Sequence, residues 1–190
     1  MDQTIHLAGV SGSLRKGSYN TLLLKAVAEL LPENTVMDIL SIADIPLYNA
    51  DLDIPLATSR PLVVQPFMDA LAKAQGLVIV SPEYNYSIPG GLKNAIDWAS
   101  RGEYSPLLRK PIALMGATPG MWGTARMQLA FQAVFLFLDM KQVLKPEILI
   151  AEAPKKFDEQ GTLTDPKTRE LIKQKLVHLK EMISPPSQLS

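Results

Sequence analysis

Ile5-His-Leu-Ala-Gly-Val-Ser-Gly-Ser-Leu-Arg-Lys-Gly-Ser-Tyr-Asn20 runs from a short apolar segment, through a turn crowded with glycine and serine, into the start of a helical pattern. In an α/β sheet this is where a phosphate is held. Glycines and small residues let the backbone curl, so that N–H groups, the Ser13 and Ser18 hydroxyls and the first turn of the next helix converge on one anion. Arg15 adds a planar cationic fork that suits phosphate oxygens. Two common phosphate loops are excluded. There is no Gly-x-Gly-x-x-Gly, and Ser18 rather than lysine follows Gly17. An ordinary polar turn capped by Ser18 is the plain alternative for the same residues.

At 190 residues the chain is long enough to bury a core without disulfides or metals. One domain is expected over residues 1–183, with a flexible tail over 184–190, where Pro185-Pro186-Ser187-Gln188 falls. Nineteen basic and nineteen acidic side chains leave no net charge, so nothing suggests a nucleic-acid surface or electrostatic membrane docking, and the expected partner is a small molecule. The absence of cysteine rules out disulfides, thiolate metal sites, iron–sulfur clusters and a cysteine nucleophile. His6 and His178 are too isolated for a metal site and read as packing or surface residues. The N-terminus lacks a basic segment followed by an apolar core and a cleavage site, which makes the cytoplasm the expected location. The apolar stretch 131–140 is approached through Arg126, Gln128 and Gln132 and is far too short to span a bilayer; membrane insertion is not expected.

Periodicity predicts strands over 4–10, 35–40, 77–81, 112–117 and 143–150, alternating with helices over 19–31, 61–74, 91–100, 122–140 and 165–183. Strands as apolar as Leu77-Val78-Ile79-Val80 belong in a parallel sheet covered on both faces. The expected fold is therefore α/β: a flavodoxin-like, doubly wound, five-stranded parallel sheet in the order 2-1-3-4-5. Its ligand crevice lies beyond the carboxyl ends of strands one and three. Pro146 cannot donate to a ladder and suits an edge strand or a bulge. The long loop 49–60 reads equally as a functional segment or a surface excursion.

The loop after strand three is Ser81-Pro-Glu-Tyr-Asn-Tyr-Ser-Ile-Pro-Gly-Gly91. It falls where a flat ring attached to a phosphate in the first loop would lie. Pro82 and Pro89 stiffen it, Gly90 and Gly91 expose amides, Tyr84 and Tyr86 present flat faces, and Asn85 offers donors and an acceptor to a heteroaromatic edge. A rigid proline turn with packed tyrosines is the alternative.

The two loops, with Pro82-Glu-Tyr-Asn-Tyr-Ser-Ile-Pro-Gly-Gly-Leu-Lys-Asn-Ala-Ile-Asp-Trp98, Ile42-Ala-Asp-Ile-Pro-Leu-Tyr-Asn49 and the Gly-rich turn 116–123, resemble the NADPH-dependent FMN reductase family, nearest its chromate- and quinone-reductase branch. The resemblance covers nearly the whole chain. It implies a flavodoxin-like fold, non-covalent FMN, NADPH or NADH as co-substrate, and a homodimer or homotetramer. It implies hydride transfer from the nicotinamide to FMN N5, then reduction of a quinone, with chromate, azo compounds and free flavin as other acceptors. By the same resemblance Ser13, Arg15, Ser18 and Asn20 are phosphate ligands, in a loop completed by Leu14, Lys16, Gly17 and Tyr19. Pro82, Glu83, Tyr84 and Asn85 border the flavin ring, largely through backbone amides, so Glu83 is not a general base. Relatives often place a serine where this chain has Ala117, so a contact there falls to the backbone or to Thr118.

No catalytic side chain is assigned. Lys93 and Asp97, spaced i, i+4, read as an exposed helical ion pair rather than part of the site. Met127, Phe131, Val134, Phe135 and Leu138 give the fourth helix more apolar surface than one face needs, which suggests a subunit interface. A flavodoxin-type electron carrier without productive nicotinamide binding is the alternative function, and such carriers are typically acidic, unlike this chain. A phosphate-binding regulatory module is a third reading.

Overall fold

A computed structural model of the protein describes residues 4–184. Apart from Ser184, the expected tail lies outside the described residues. Strands β1 (Ile5–Ser11), β2 (Thr35–Leu40), β3 (Gly76–Val80) and β4 (Pro111–Ala117) pair in parallel in the order β2-β1-β3-β4, and the short strands β5 (Lys141–Gln142) and β6 (Ile148–Ile150) both pair with β4. Helices α1 (Tyr19–Glu29), α2 (Val64–Lys73), α3 (Gly90–Ala99), α4 (Ala125–Phe137) and α5 (Pro166–Ile183) fill the crossovers and close the chain. The flavodoxin-like order expected from the alternation is the order observed.

Side-chain alternation along a strand explains why β3 is apolar throughout. Leu77 and Ile79 enter one core with Phe67, Leu71, Trp98 and Phe131, from α2, α3 and α4. Val78 and Val80 enter the other, with Leu23 and Val27 of α1 and Ile172 and Leu176 of α5. Each of these fully buried aliphatic side chains contributes about 1.5–3 kcal/mol. The edge strand β2 is more open, with Val36 and Ile39 exposed. From β2 the chain crosses β1 to form β3, which leaves a crevice at the carboxyl ends of β1 and β3.

The predicted fifth strand over 143–150 is corrected by the structure: β5 and β6 are separate pieces. Val143 still donates to Ile112 O at 2.9 Å, after which the ladder breaks around Pro146. Carbonyls freed by the break are taken up by α5: Lys175 Nζ donates to Val143 O (2.8 Å) and Pro146 O (2.9 Å), and His178 Nδ1 lies 2.9 Å from Lys145 O. The fourth helix is also shorter than expected. Gly123 and Thr124 are left-handed before it and Asp139 after it, so the helical backbone cannot extend over 122–140.

Lys175 is 1% exposed. Burial pushes its ammonium down to about 8, against a smaller opposing pull from Glu147 and a smaller push the same way from Lys145. Below about 8 both folded and unfolded chains hold the proton, and the cost of burying it is fully present. Between about 8 and the ordinary 10.5 the unfolded chain binds more protons, so stability at this position rises with pH. Relative to Lys175→Met, the wild type should gain roughly 1–3 kcal/mol between pH 8 and pH 10 in urea titrations. A pH-independent difference would contradict this.

Candidate functional site

The loop after β1 is pinned at its start. Gly12 N donates to Val80 O at 2.9 Å, and a Cβ at Gly12 would lie 2.3 Å from Ser81 Oγ, so the close approach to β3 requires glycine. Beyond it, Arg15 N donates to Ser13 Oγ (3.4 Å), and Ser18, the N-cap of α1, accepts from Asn20 N (3.2 Å). Both serine hydroxyls thus accept a backbone N–H and keep their own proton for donation outward. Among the described residues the amides of Leu14, Lys16, Gly17 and Tyr19 have no acceptor. Arg15 folds back over the loop, its Nη1 3.2 Å from where a Gly17 Cβ would stand. Leu14 and Lys16 are exposed, while Tyr19 packs on Phe157 with ring centroids 5.5 Å apart.

Asn20 is turned toward the end of β4. It is 3% exposed. Its Nδ2 donates to Ala117 O at 2.9 Å and its Oδ1 accepts from Ala117 N at 2.8 Å. The carboxamide therefore ties the first loop to the end of β4 and keeps one Nδ2 N–H for a phosphate. The same bonds close the backbone of Ala117. Thr118 N donates to Ile150 O (2.9 Å), and Thr118 Oγ1 accepts from Gly120 N (3.2 Å). In this turn the amides without an acceptor among the described residues are those of Met121, Trp122, Gly123 and Thr124.

After β3, Tyr84 and Ser87 exchange backbone hydrogen bonds at 3.1 and 2.9 Å around a two-residue turn. Asn85 (φ 49°) and Tyr86 (φ 66°) are both left-handed, the pattern of a turn that favours Asn-Gly. Asparagine tolerates it; tyrosine does so at a cost of about 1–2 kcal/mol. Glu83 Oε2 accepts from Arg126 N (3.0 Å) and Met127 N (3.2 Å), and its Oε1 pairs with Arg126 Nη1 (3.2 Å). The carboxylate thus caps α4, whose N-cap residue Thr124 offers no side-chain bond. This accounts for an acidic residue at this position of the loop.

In the sequence Arg126 is a polar interruption ahead of an apolar stretch, and nothing beside it marks the cap. The partners lie 43 residues apart, and no local pattern announces them.

Two motif residues prove structural. Asn94 of α3 accepts from Tyr48 N and donates to Pro46 O, both at 2.8 Å, and Trp98 Nε1 also donates to Pro46 O at 2.8 Å. They fasten the segment after β2. Lys93 and Asp97 form the expected helical ion pair at 2.6 Å, with Arg101 at 3.7 Å on the same carboxylate. Among the described residues no group of acidic and histidine side chains is arranged to hold a metal, and no helix is long and apolar enough to cross a membrane.

A phosphorylated flavin fits these groups: proton-bearing serines, open amides and Arg15 at one end, and a tyrosine-rich turn at the other. The NADPH-dependent FMN reductase family pattern matches residues 5–155. The chain is 44% identical to an NAD(P)H-dependent FMN reductase of Pseudomonas aeruginosa, over 93% of this chain and 94% of the relative. It is 38% identical to a quinone reductase of Escherichia coli, over 96% and 97%. A flavoenzyme NAD(P)H:(acceptor) oxidoreductase from Paracoccus denitrificans superimposes with a TM-score of 0.83 at 31% identity, covering 94% of this chain and 97% of that one. A family pattern matched over residues 5–155 and relatives matched over nearly their full length have one meaning: the chain belongs to the NADPH-dependent FMN reductase family.

Proposed function

We propose that the protein is an FMN-dependent NAD(P)H oxidoreductase, acting as a single cytoplasmic FMN-binding domain, that reduces quinones or similar small acceptors. The observation that carries it is the pair of loops at the β1/β3 switch point, one rich in open anion donors and one rich in flat side chains. Bound FMN supplies two-electron chemistry between a nicotinamide nucleotide and the acceptor. The chain's part is binding and orientation. Ser13, Ser18, Arg15 and the amides of Leu14, Lys16, Gly17 and Tyr19 hold the phosphate; Asn20 sets that loop against β4. Pro82, Glu83, Tyr84 and Asn85 border the ring; the amides of Glu83 and Asn85 have no acceptor among the described residues and serve as donors. The acceptor-free amides of the exposed Met121 and Trp122 replace the donor that Ala117 no longer offers, and they are suited to negative charge developing on the ring edge.

Anaerobic mixing of FMN-loaded protein with NADPH, and separately NADH, should bleach the visible flavin absorbance, and a quinone should restore it. Flavin that stays oxidised with both nucleotides would instead indicate an electron carrier.

The protein is also proposed to form a homo-oligomer, through a surface other than the one read from sequence. Met127, Phe131, Phe135 and Leu138 are buried in the core, whereas Leu129, Leu136 and Phe137 on the outer side of α4 are 71%, 84% and 76% exposed. Leu136 also lines an open groove of about 590 Å³ with Leu144 and Met182. An apolar surface of this kind favours a partner. Light scattering at micromolar concentration should give a multiple of the chain mass, and Leu136→Glu should lower it; a monomer in the wild type overturns the proposal.

A further inference from the structure

Arg126, in the first turn of α4, touches groups from both sides of the crevice. Its guanidinium carbon lies 3.8 Å from the centroid of Tyr86 and 4.5 Å from that of Trp122, and Nη1 is 3.2 Å from Glu83 Oε1. Its backbone N–H is held by the same Glu83 carboxylate at 3.0 Å. One residue is thus gripped through both side chain and backbone by the loop after β3, and its side chain also rests on the turn after β4.

That loop has little else of its own to hold its tip. The Tyr84–Ser87 pair closes the turn, but Tyr86 is left-handed where glycine is the natural choice, and the residue is 70% exposed. Burial does not keep it there. A residue held in a disfavoured conformation needs a partner that over-determines it, and the face of the Arg126 guanidinium is that partner. We propose that Arg126 is a positioning residue for the flavin-edge loop. Through Tyr86, Trp122 and Glu83 it latches residues 83–86 to the start of α4 and so presets the open amides of Glu83 and Asn85. The proposal rests on the reading that a flavin ring lies against this loop.

The latch is tested with Arg126→Leu and Arg126→Lys in two measurements. In the protein without flavin, the Tyr84 and Ser87 amides of Arg126→Leu should exchange with solvent roughly five- to tenfold faster, while amides of β3 and β4 keep wild-type rates. Arg126→Lys, which keeps the charge opposite Glu83 but not the flat face, should fall between. In flavin titrations the Kd values for FMN and riboflavin should rise by the same factor, because the ring end and not the phosphate end has loosened. If Arg126→Leu does not fold, Trp122→Ala, at a residue that is 68% exposed, should give the same pattern in smaller measure. Unchanged exchange at Tyr84 and Ser87 in a folded variant, or weakened FMN with unaltered riboflavin, overturns the latch. A wild type that binds neither flavin fails the cofactor reading instead, and the exchange rates alone then decide whether Arg126 holds the loop.

Discussion

Asn20→Ala should destabilise the protein by about 2–5 kcal/mol, because it strands two buried backbone groups at once. Ala117 is 2% exposed, and both its N–H and its carbonyl are bonded to the Asn20 carboxamide. A buried backbone group left without a partner costs about 1–3 kcal/mol, far more than the net gain from one exposed hydrogen bond. Asn20→Asp should rescue little. One carboxylate oxygen can still accept from Ala117 N, but the other then faces the Ala117 carbonyl, and two acceptors repel. Urea unfolding measures the effect directly, and a loss under about 1 kcal/mol would show that water or a backbone shift replaces the tie. FMN affinity should fall with stability in these variants, since the same carboxamide anchors the loop that carries Ser13, Arg15 and Ser18.

Arg15→Ala should leave stability nearly unchanged and weaken FMN by about 1.5–3 kcal/mol, the range for hydrogen bonds to a charged group. The side chain is exposed and folded over Gly17, so little packing is lost with it. Riboflavin, which lacks the phosphate, should bind both proteins equally. Fluorescence titration with the two ligands separates the possibilities, and equal losses for both would refute a phosphate role. The contrast with Arg126 is useful: one arginine should discriminate between the two flavins and the other should not.

Much of the architecture was legible because it follows from local periodicity. Leu77-Val78-Ile79-Val80 predicts a strand covered on both faces, and its residues do divide between two cores. The switch point follows from the alternation of elements, and the glycines and serines of residues 12–18 mark the loop that belongs there. Pro146 announces a disturbance in the last strand, although its extent depends on Lys175 and His178 arriving from α5 to satisfy the freed carbonyls.

The roles of Asn20, Glu83 and Arg126 were not legible in that way. Asn20 sits among phosphate-loop residues and reads as one of them, yet its partner is 97 residues away. Glu83 lies in a flavin-edge motif and caps a helix that begins 42 positions later. Excess apolar surface on the fourth helix was visible, but which residues carry it depended on the direction in which the helix docks.

The sequence by itself determined the element order, the two-sided burial of the sheet and the placement of the two ligand loops, because these depend on residue spacing along the chain. Only the tertiary structure decided which polar side chains remain open to a ligand and which are already taken by distant backbone groups. A donor's chemistry is written in its residue type, but its availability depends on the three-dimensional neighbours that compete for its hydrogen bonds.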